Sequence, residues 1–248
     1  MRRIIGTIRA ADNHRRVVLL VSVVMLFVGF TGCYSPPFEQ PDMTELPPDT
    51  SAGEVADQFE RSLPQQFQTE DTIIFQFSRL LFSREIAALG YAEVNRAEDT
   101  FDILCVNHTG AELFHIQGDR EGTQLLYAMP EFKKHPEFTD AVGDDLRAIY
   151  WAMSPGSKTR ARVRRNKIVF SNDNGDGPDE RKYIYGGPEL ALLEKWIVDD
   201  GVERRVRFYE YSSHERDGQK YVFPEGIVLH NRTYGYRLII RNRGLQIN

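Results

Sequence analysis

From Ile73 onward the apolar residues recur at every second position, and this period restricts the fold more than any other feature of the chain. Ile73, Phe75 and Phe77 fall on one face of an extended segment, while Thr72, Gln76 and Ser78 fall on the other. Successive side chains of a strand point to opposite faces, so such a segment buries one face and wets the other. The same alternation predicts strands over 84–95, 100–107, 112–117, 123–128, 159–164, 167–171, 181–185, 190–198, 204–212, 226–230 and 234–242, with a tight turn at His108-Thr109-Gly110. The intervals are short turns, and parallel pairing would need crossovers of about a dozen residues or more, so the sheet is expected to be antiparallel.

Two segments break the period of two. Val55, Ala56, Phe59 and Leu63 share a helical face closed by Pro64. Phe138, Val142, Leu146, Ile149, Tyr150 and Met153 share another, closed by Pro155-Gly156. Each stripe needs a sheet to cover. The chain has 248 residues, 41% of them hydrophobic and 27% charged, with a formal net charge of −5. That composition supports one cored domain plus a tail and excludes a disordered chain or a strongly basic nucleic-acid binder.

The tail is at the front. Arg2, Arg3, Arg9, Arg15 and Arg16 precede an apolar run from Val17 to Phe30 that is shorter than a membrane-spanning helix needs, about 20 residues, and of the length of a secretory signal. Phe30-Thr31-Gly32-Cys33 resembles a bacterial lipobox, with Phe30 in place of the usual Leu. That resemblance implies cleavage after residue 32, lipidation of the Cys33 thiolate and anchoring in a membrane, and Tyr34, which is not Asp, implies the outer membrane with the domain facing the periplasm. Removal of the first 32 residues would take the formal charge to −9. Cys105 would then have no intramolecular partner, and no disulfide is expected. Residues 33–51, with prolines at 36, 37, 41, 47 and 48, are expected to form an extended tether, and residues 52–248 the folded domain.

The lipobox, the first helix, the run of strands, the helical insert DDLRAIYWAM at 144–153 and the closing pair FPEGIVLHNRTYGYRLIIRN at 223–242 together resemble the LolA/LolB-like periplasmic proteins, and more narrowly an uncharacterised set of envelope lipoproteins of that fold. The resemblance covers about residues 67 to 242. It implies an α+β fold that is mainly β: a curved, incompletely closed antiparallel sheet, or half-barrel, with helices covering the concave side. It also implies a non-enzymatic role, the carriage or reception of an acylated cargo, a lipoprotein or lipid-like molecule, in the hollow. Phe75, Phe77, Phe114, Ile116, Val206, Phe208, Leu238 and Ile240 are the expected lining. Alternation alone leaves two readings open, a lined hollow or a solid core. A hollow that binds acyl chains requires an apolar cavity of at least ~300 Å³, open at one end. The alternatives in other classes are a structural lipoprotein and an envelope lipid-modifying enzyme.

Catalytic signatures are lacking: there is no Gly-x-Ser-x-Gly elbow, His-Glu-x-x-His, phosphate-cradling glycine loop or paired cysteine motif. His108 and His115 lack a metal-ligand spacing. Asp144 and Asp145 read as partners of a helix dipole at the start of the insert. Asn172, Asn174, Asp176 and Gly177 fit the early positions of a calcium loop, yet Tyr183 stands where a bidentate Glu is required. No metal or cofactor is expected, and no nucleic-acid partner. The chain is expected to be monomeric. Lys158, Arg160, Arg162 and Arg164 alternate on one strand, with Arg165 and Lys167 at the following turn. They protect a sheet edge or, with Arg160, Arg162 and Arg164 in contact, dock anionic headgroups or an acidic partner.

Overall fold

The computed structural model describes residues 38–79, 82–156, 159–172 and 180–248. The signal-like run and Cys33 lie outside the described residues, as do Lys158, Asn174, Asp176 and Gly177. The strands are β1 (Gln66–Arg79), β2 (Phe82–Asn95), β3 (Thr100–Val106), β4 (Glu112–Gly118), β5 (Thr123–Ala128), β6 (Arg160–Arg164), β7 (Lys167–Ser171), β8 (Glu180–Gly186), β9 (Ala191–Asp199), β10 (Val202–Arg216), β11 (Gln219–Asn231) and β12 (Tyr236–Ile247). The helices are α1 (Ala52–Ser62), the single turn α2 (Pro130–Lys133) and α3 (Phe138–Tyr150). All twelve strands form one antiparallel sheet in the order β5-β4-β3-β2-β1-β12-β11-β10-β9-β8-β7-β6. It is unclosed, with β5 and β6 as its two edges, and the seam between its halves is the pairing of β1 with β12.

Four strands run well beyond what alternation foretells, among them β12, which continues to Ile247 rather than ending at 242. β1 begins at Gln66 rather than near Thr72, because Phe67 and Thr69 continue the inward face through polar neighbours. β10 and β11 extend to a hairpin at Asp217-Gly218, where φ values of 53° and 75° supply the left-handed pair that a tight two-residue turn demands. Pro224 argues against a central strand, yet it is accommodated opposite Tyr211, beside Glu210 at φ 51°. That residue interrupts the alternation, so Tyr209 stacks on Phe38 while Tyr211 packs edge-on against Phe59, in separate apolar clusters.

The main core fills the concave side. α1 contributes Val55, Ala56 and Phe59, with Leu63 just beyond its end, and Phe59 meets Tyr185 and Tyr211 edge-on, each at 5.8 Å. α3 contributes Leu146, Ala148, Ile149 and Tyr150. It ends at Tyr150, three residues short of the periodic stripe, and the chain turns at Ala152, with φ 47°, before burying Met153. A smaller cluster of Phe38, Tyr209, Val228 and Ile239 lies on the convex side. The proline-rich residues 38–48 have no helix or strand but lie against the domain, Phe38 in this convex cluster and Leu46 against the main core. Phe38 sits flush on Gly226, whose missing side chain leaves room for the ring, and Leu46 donates its backbone N–H to the Arg165 carbonyl at 2.8 Å. Composition carried no sign of these contacts.

Candidate functional site

The residues expected to line a hollow do converge on the concave face. Register places Phe75, Leu238, Leu229 and Val206 directly opposite one another in one row, and Ile73, Ile240, Ile227 and Phe208 in the next. Phe114, on β4, meets Phe75 edge-on at 6.3 Å and closes on Phe138 and Phe132 at 5.2 and 5.6 Å, while Ile116 is fully buried. Phe77 differs: it is 38% exposed, at the rim, against Tyr236. An open hollow at Phe208 is not what the structure contains. The space lined there by Leu63, Phe67, Ile149, Tyr150, Met153 and Phe208 is only about 20 Å³, far below the ~300 Å³ at which ligand pockets begin. α3 and the Trp151–Met153 segment occupy the volume instead.

α3 is fixed in that position by polar groups that strand alternation would assign to apolar partners. Asp145, 4% exposed, lies mid-helix rather than at the helix start, and it meets Arg204, also 4% exposed, with Arg204 Nε donating to Oδ1 at 2.9 Å. Asn231 Nδ2 donates to the same oxygen at 3.3 Å, and the Tyr236 hydroxyl donates to Oδ2. Burial pushes the Asp145 carboxyl up, and the hydrogen bonds from Tyr236, Arg204 and Asn231 oppose the shift. At the other end of α3, the fully buried Lys195 donates from Nζ to the Trp151 carbonyl at 2.7 Å and to that of Ile149 at 3.4 Å, satisfying carbonyls that the helix end leaves open. Burial lowers its pKa well below the ordinary lysine value. A third buried group, Asp71, accepts from the Thr69 hydroxyl at 2.6 Å and from Asn242 Nδ2 at 3.1 Å, and burial pushes it up to about 6. Sequence reasoning missed Lys195 and Asp71 and gave Asp145 a helix-dipole role in place of its pairing with Arg204. The available signal was a charged residue at a position whose period requires an apolar one: Lys195 stands opposite Val206, and Asp71 two residues before Ile73 on the same face.

On the convex face, Arg160, Arg162 and Arg164 lie on the edge strand β6, all exposed. β6 pairs only with β7, so the three arginines stand on a sheet edge. At the opposite end of the sheet a groove of about 680 Å³ is lined by polar groups that include Glu93, Glu98, Asp102, Asp119 and Glu121.

Other candidates do not assemble. His115 Nε2 lies 2.7 Å from Asp102, but His108 lies in the turn beyond β3 and shares no contact with it. No group of three or more His, Cys, Asp or Glu able to hold a metal occurs among the described residues. Asn172, from the calcium-like loop, accepts the Arg181 backbone N–H at 2.6 Å. Ser212 Oγ and His214 Nε2 are 2.9 Å apart, a nucleophile–base distance, yet among the described residues no carboxylate orients the imidazole. Cys105 is fully buried, which raises its thiol pKa and leaves it inert.

An unclosed antiparallel sheet whose concave face is filled by helices defines a half-barrel of the LolA-like open-barrel class. Among solved structures, the chain is similar to a LolA superfamily protein of Nitrosomonas europaea, at a TM-score of 0.51 and 9% identity over 80% of this chain and 94% of that one. It is also similar to a domain from Vibrio parahaemolyticus described as an outer membrane lipoprotein-sorting protein, at 0.44 and 12% over 79% and 91%, and to a DUF1329 family protein of Desulfovibrio piger, at 0.41 and 9% over 79% and 91%. No family model and no curated protein sequence matches the chain. No helix among the described residues is long and apolar enough to cross a membrane.

Proposed function

We propose that the protein is a lipid-anchored envelope lipoprotein, held through Cys33 in the outer membrane and facing the periplasm, that takes up an acylated cargo on the concave face of its sheet when α3 gives way. The observation that carries this reading is the way α3 is held. An inert core would seat the helix by apolar contact alone, whereas this one is pinned by Asp145, Arg204, Asn231 and Tyr236, buried polar groups whose pairing barely offsets their loss of hydration. Displacing α3 would return those groups to water and uncover Phe114, Phe208, Val206 and Ile116, where each buried methylene of a cargo contributes ~0.8 kcal/mol. Likeness in fold to a LolA superfamily protein supports a carrier over an enzyme.

The test is a reversible lock. Gly143 of α3 packs so closely on Thr123 of β5 that an added Cβ would stand 3.0 Å from the Thr123 Cβ. Paired cysteines there, as Gly143→Cys with Thr123→Cys, are within bridging reach after a small adjustment. The oxidised protein is expected to lose binding of a fluorescent fatty-acyl probe and to regain it on reduction. Equal binding in both states, or no binding by the unmodified chain, would overturn the proposal.

A further inference from the structure

Cross-strand partners share a face of the sheet, and following them across the convex side of the second half discloses an alignment that no segment of sequence contains. Arg160 stands opposite Ser171, Ser171 opposite Lys182, Lys182 opposite Trp196, Trp196 opposite Arg205, Arg205 opposite His230 and His230 opposite Arg237. Between Arg160 and Arg237 the row holds no acidic residue. Its first acid is Glu85, reached through Gln76 two strands further on. Glu194, in the adjoining row, serves both Arg205 and Arg207, at 2.7 and 3.1 Å. Lys182 Nζ lies 5.8 Å above the Trp196 ring. Most of the row lies on interior strands, where edge protection is not needed. The same face of the first half is different: Asp102 stands opposite both Glu93 and Gln117. The second half of the convex surface thus carries an excess of basic groups, Glu203 and Glu210 being paired with Arg232 and Arg241, and the first half carries acidic groups.

We infer that the basic half of the convex face, from Arg160 through Lys182, Trp196, Arg205 and His230 to Arg237, lies against anionic phospholipid headgroups. The inference rests on the anchored reading above and adds an orientation to it. Phe38, stacked on Tyr209 at 5.3 Å and under Arg241 at 4.6 Å, is seated on this convex face, since Tyr209, Ile239 and Arg241 alternate with the inward-facing residues of β10 and β12. Cys33 precedes Phe38 by five residues. A chain advances at most ~3.6 Å per residue, so an acyl chain on Cys33 enters the bilayer within roughly 18 Å of Phe38. An anchor this short cannot hold the domain far from the surface, and the side it tethers is the side with the cationic row. Each basic residue near an anionic surface adds to the attraction, which salt screens. The overall acidity of the chain does not oppose this arrangement, because the acidic groups at the other end of the face turn that half away. The concave face is left free for cargo.

The experiment uses the full lipidated chain reconstituted on vesicles of phosphatidylcholine, with or without phosphatidylglycerol. Cys105 is buried, so a dye on His230→Cys or, as the control at the acidic end, Gln124→Cys reports one position each. With phosphatidylglycerol, acrylamide quenching of the His230 label is expected to fall roughly fivefold and to recover at about 1 M salt, where the Debye length shrinks to ~3 Å, while the Gln124 label stays accessible. Arg160→Gln, Lys182→Gln and Arg237→Gln combined should abolish the protection while the protein still sediments with vesicles of either composition. Equal quenching of the two labels, or the same protection on pure phosphatidylcholine, would overturn the orientation. Sedimentation itself reads the anchor separately: protein that sediments only with phosphatidylglycerol refutes the anchor and retains the face, and protein that sediments with neither refutes both.

Discussion

Two buried carboxylates have opposite consequences when their surroundings change. Asp71 is pushed up to about 6 from an ordinary value near 3.8, so between these values the folded state binds more proton than the unfolded chain. Its contribution is neutral below about pH 4, declines as pH rises, and is fully unfavourable above about pH 6, by roughly 3 kcal/mol. Asp71→Asn should therefore gain stability relative to the unmodified protein by up to about that amount as pH goes from 4 to 7, with urea unfolding as the measurement. An unchanged difference across that range would show that Asp71 titrates normally. Arg204→Met, by contrast, leaves Asp145 buried without its cation and is expected to cost about 3–5 kcal/mol at pH 7. Pairing it with Asp145→Leu should recover most of the loss, because what is costly is the uncompensated charge rather than the absence of the pair.

Elements meet at small residues. Gly143 brings α3 onto β5, where an added methyl would lie 2.1 Å from Thr123 Oγ1. Alanine is the better helix former by about 1 kcal/mol, but the clash outweighs it, and Gly143→Ala is expected to destabilise by about 1–3 kcal/mol. Thr123→Gly in the same chain should reverse the sign and leave the propensity gain, as thermal unfolding of the single and double variants would reveal. The 38–50 segment is held by the Phe38 ring at its start and by Leu46 and Glu45 at Arg165 further on. Phe38→Ala should release the first residues of the segment, make them cleavable by protease at low enzyme ratios and raise binding of an apolar dye at the uncovered Tyr209, Val228 and Ile239, with the strand signal in circular dichroism unchanged.

For the whole molecule, the decisive pairing is the most distant in sequence. β1 meets β12, Phe67 opposite Ile247, and this single seam joins the strands that follow α1 to those that follow α3. The main apolar cluster runs across it, from Phe101 on β3 to Ile168 on β7. Ending the chain at Gly235, and so removing β12, is expected to yield no folded half rather than one surviving domain, as seen in far-ultraviolet circular dichroism and a lost unfolding transition. In the intact protein, Trp196 fluorescence and the strand signal should change together on unfolding.

Period and punctuation were enough for the elements. Alternation in segments such as Ile73–Phe77 and Lys167–Ser171, helical spacing in Phe138–Ile149 and the short turns between them determine an antiparallel sheet with two covering helices, because side-chain period is a local property of backbone geometry. They also determined which residues face inward: Phe75, Phe114, Ile116, Val206, Phe208, Leu238 and Ile240 share the concave side. Whether that side is hollow was not determined, since the same pattern serves a pocket or a core, and only the placement of α3 reduced the space to about 20 Å³. The Asp145–Arg204 pair joins residues 59 positions apart, and the row from Arg160 to Arg237 is assembled from seven strands. Register between distant strands decides both, and register is a property of the closed set of hydrogen bonds, not of any one strand's sequence.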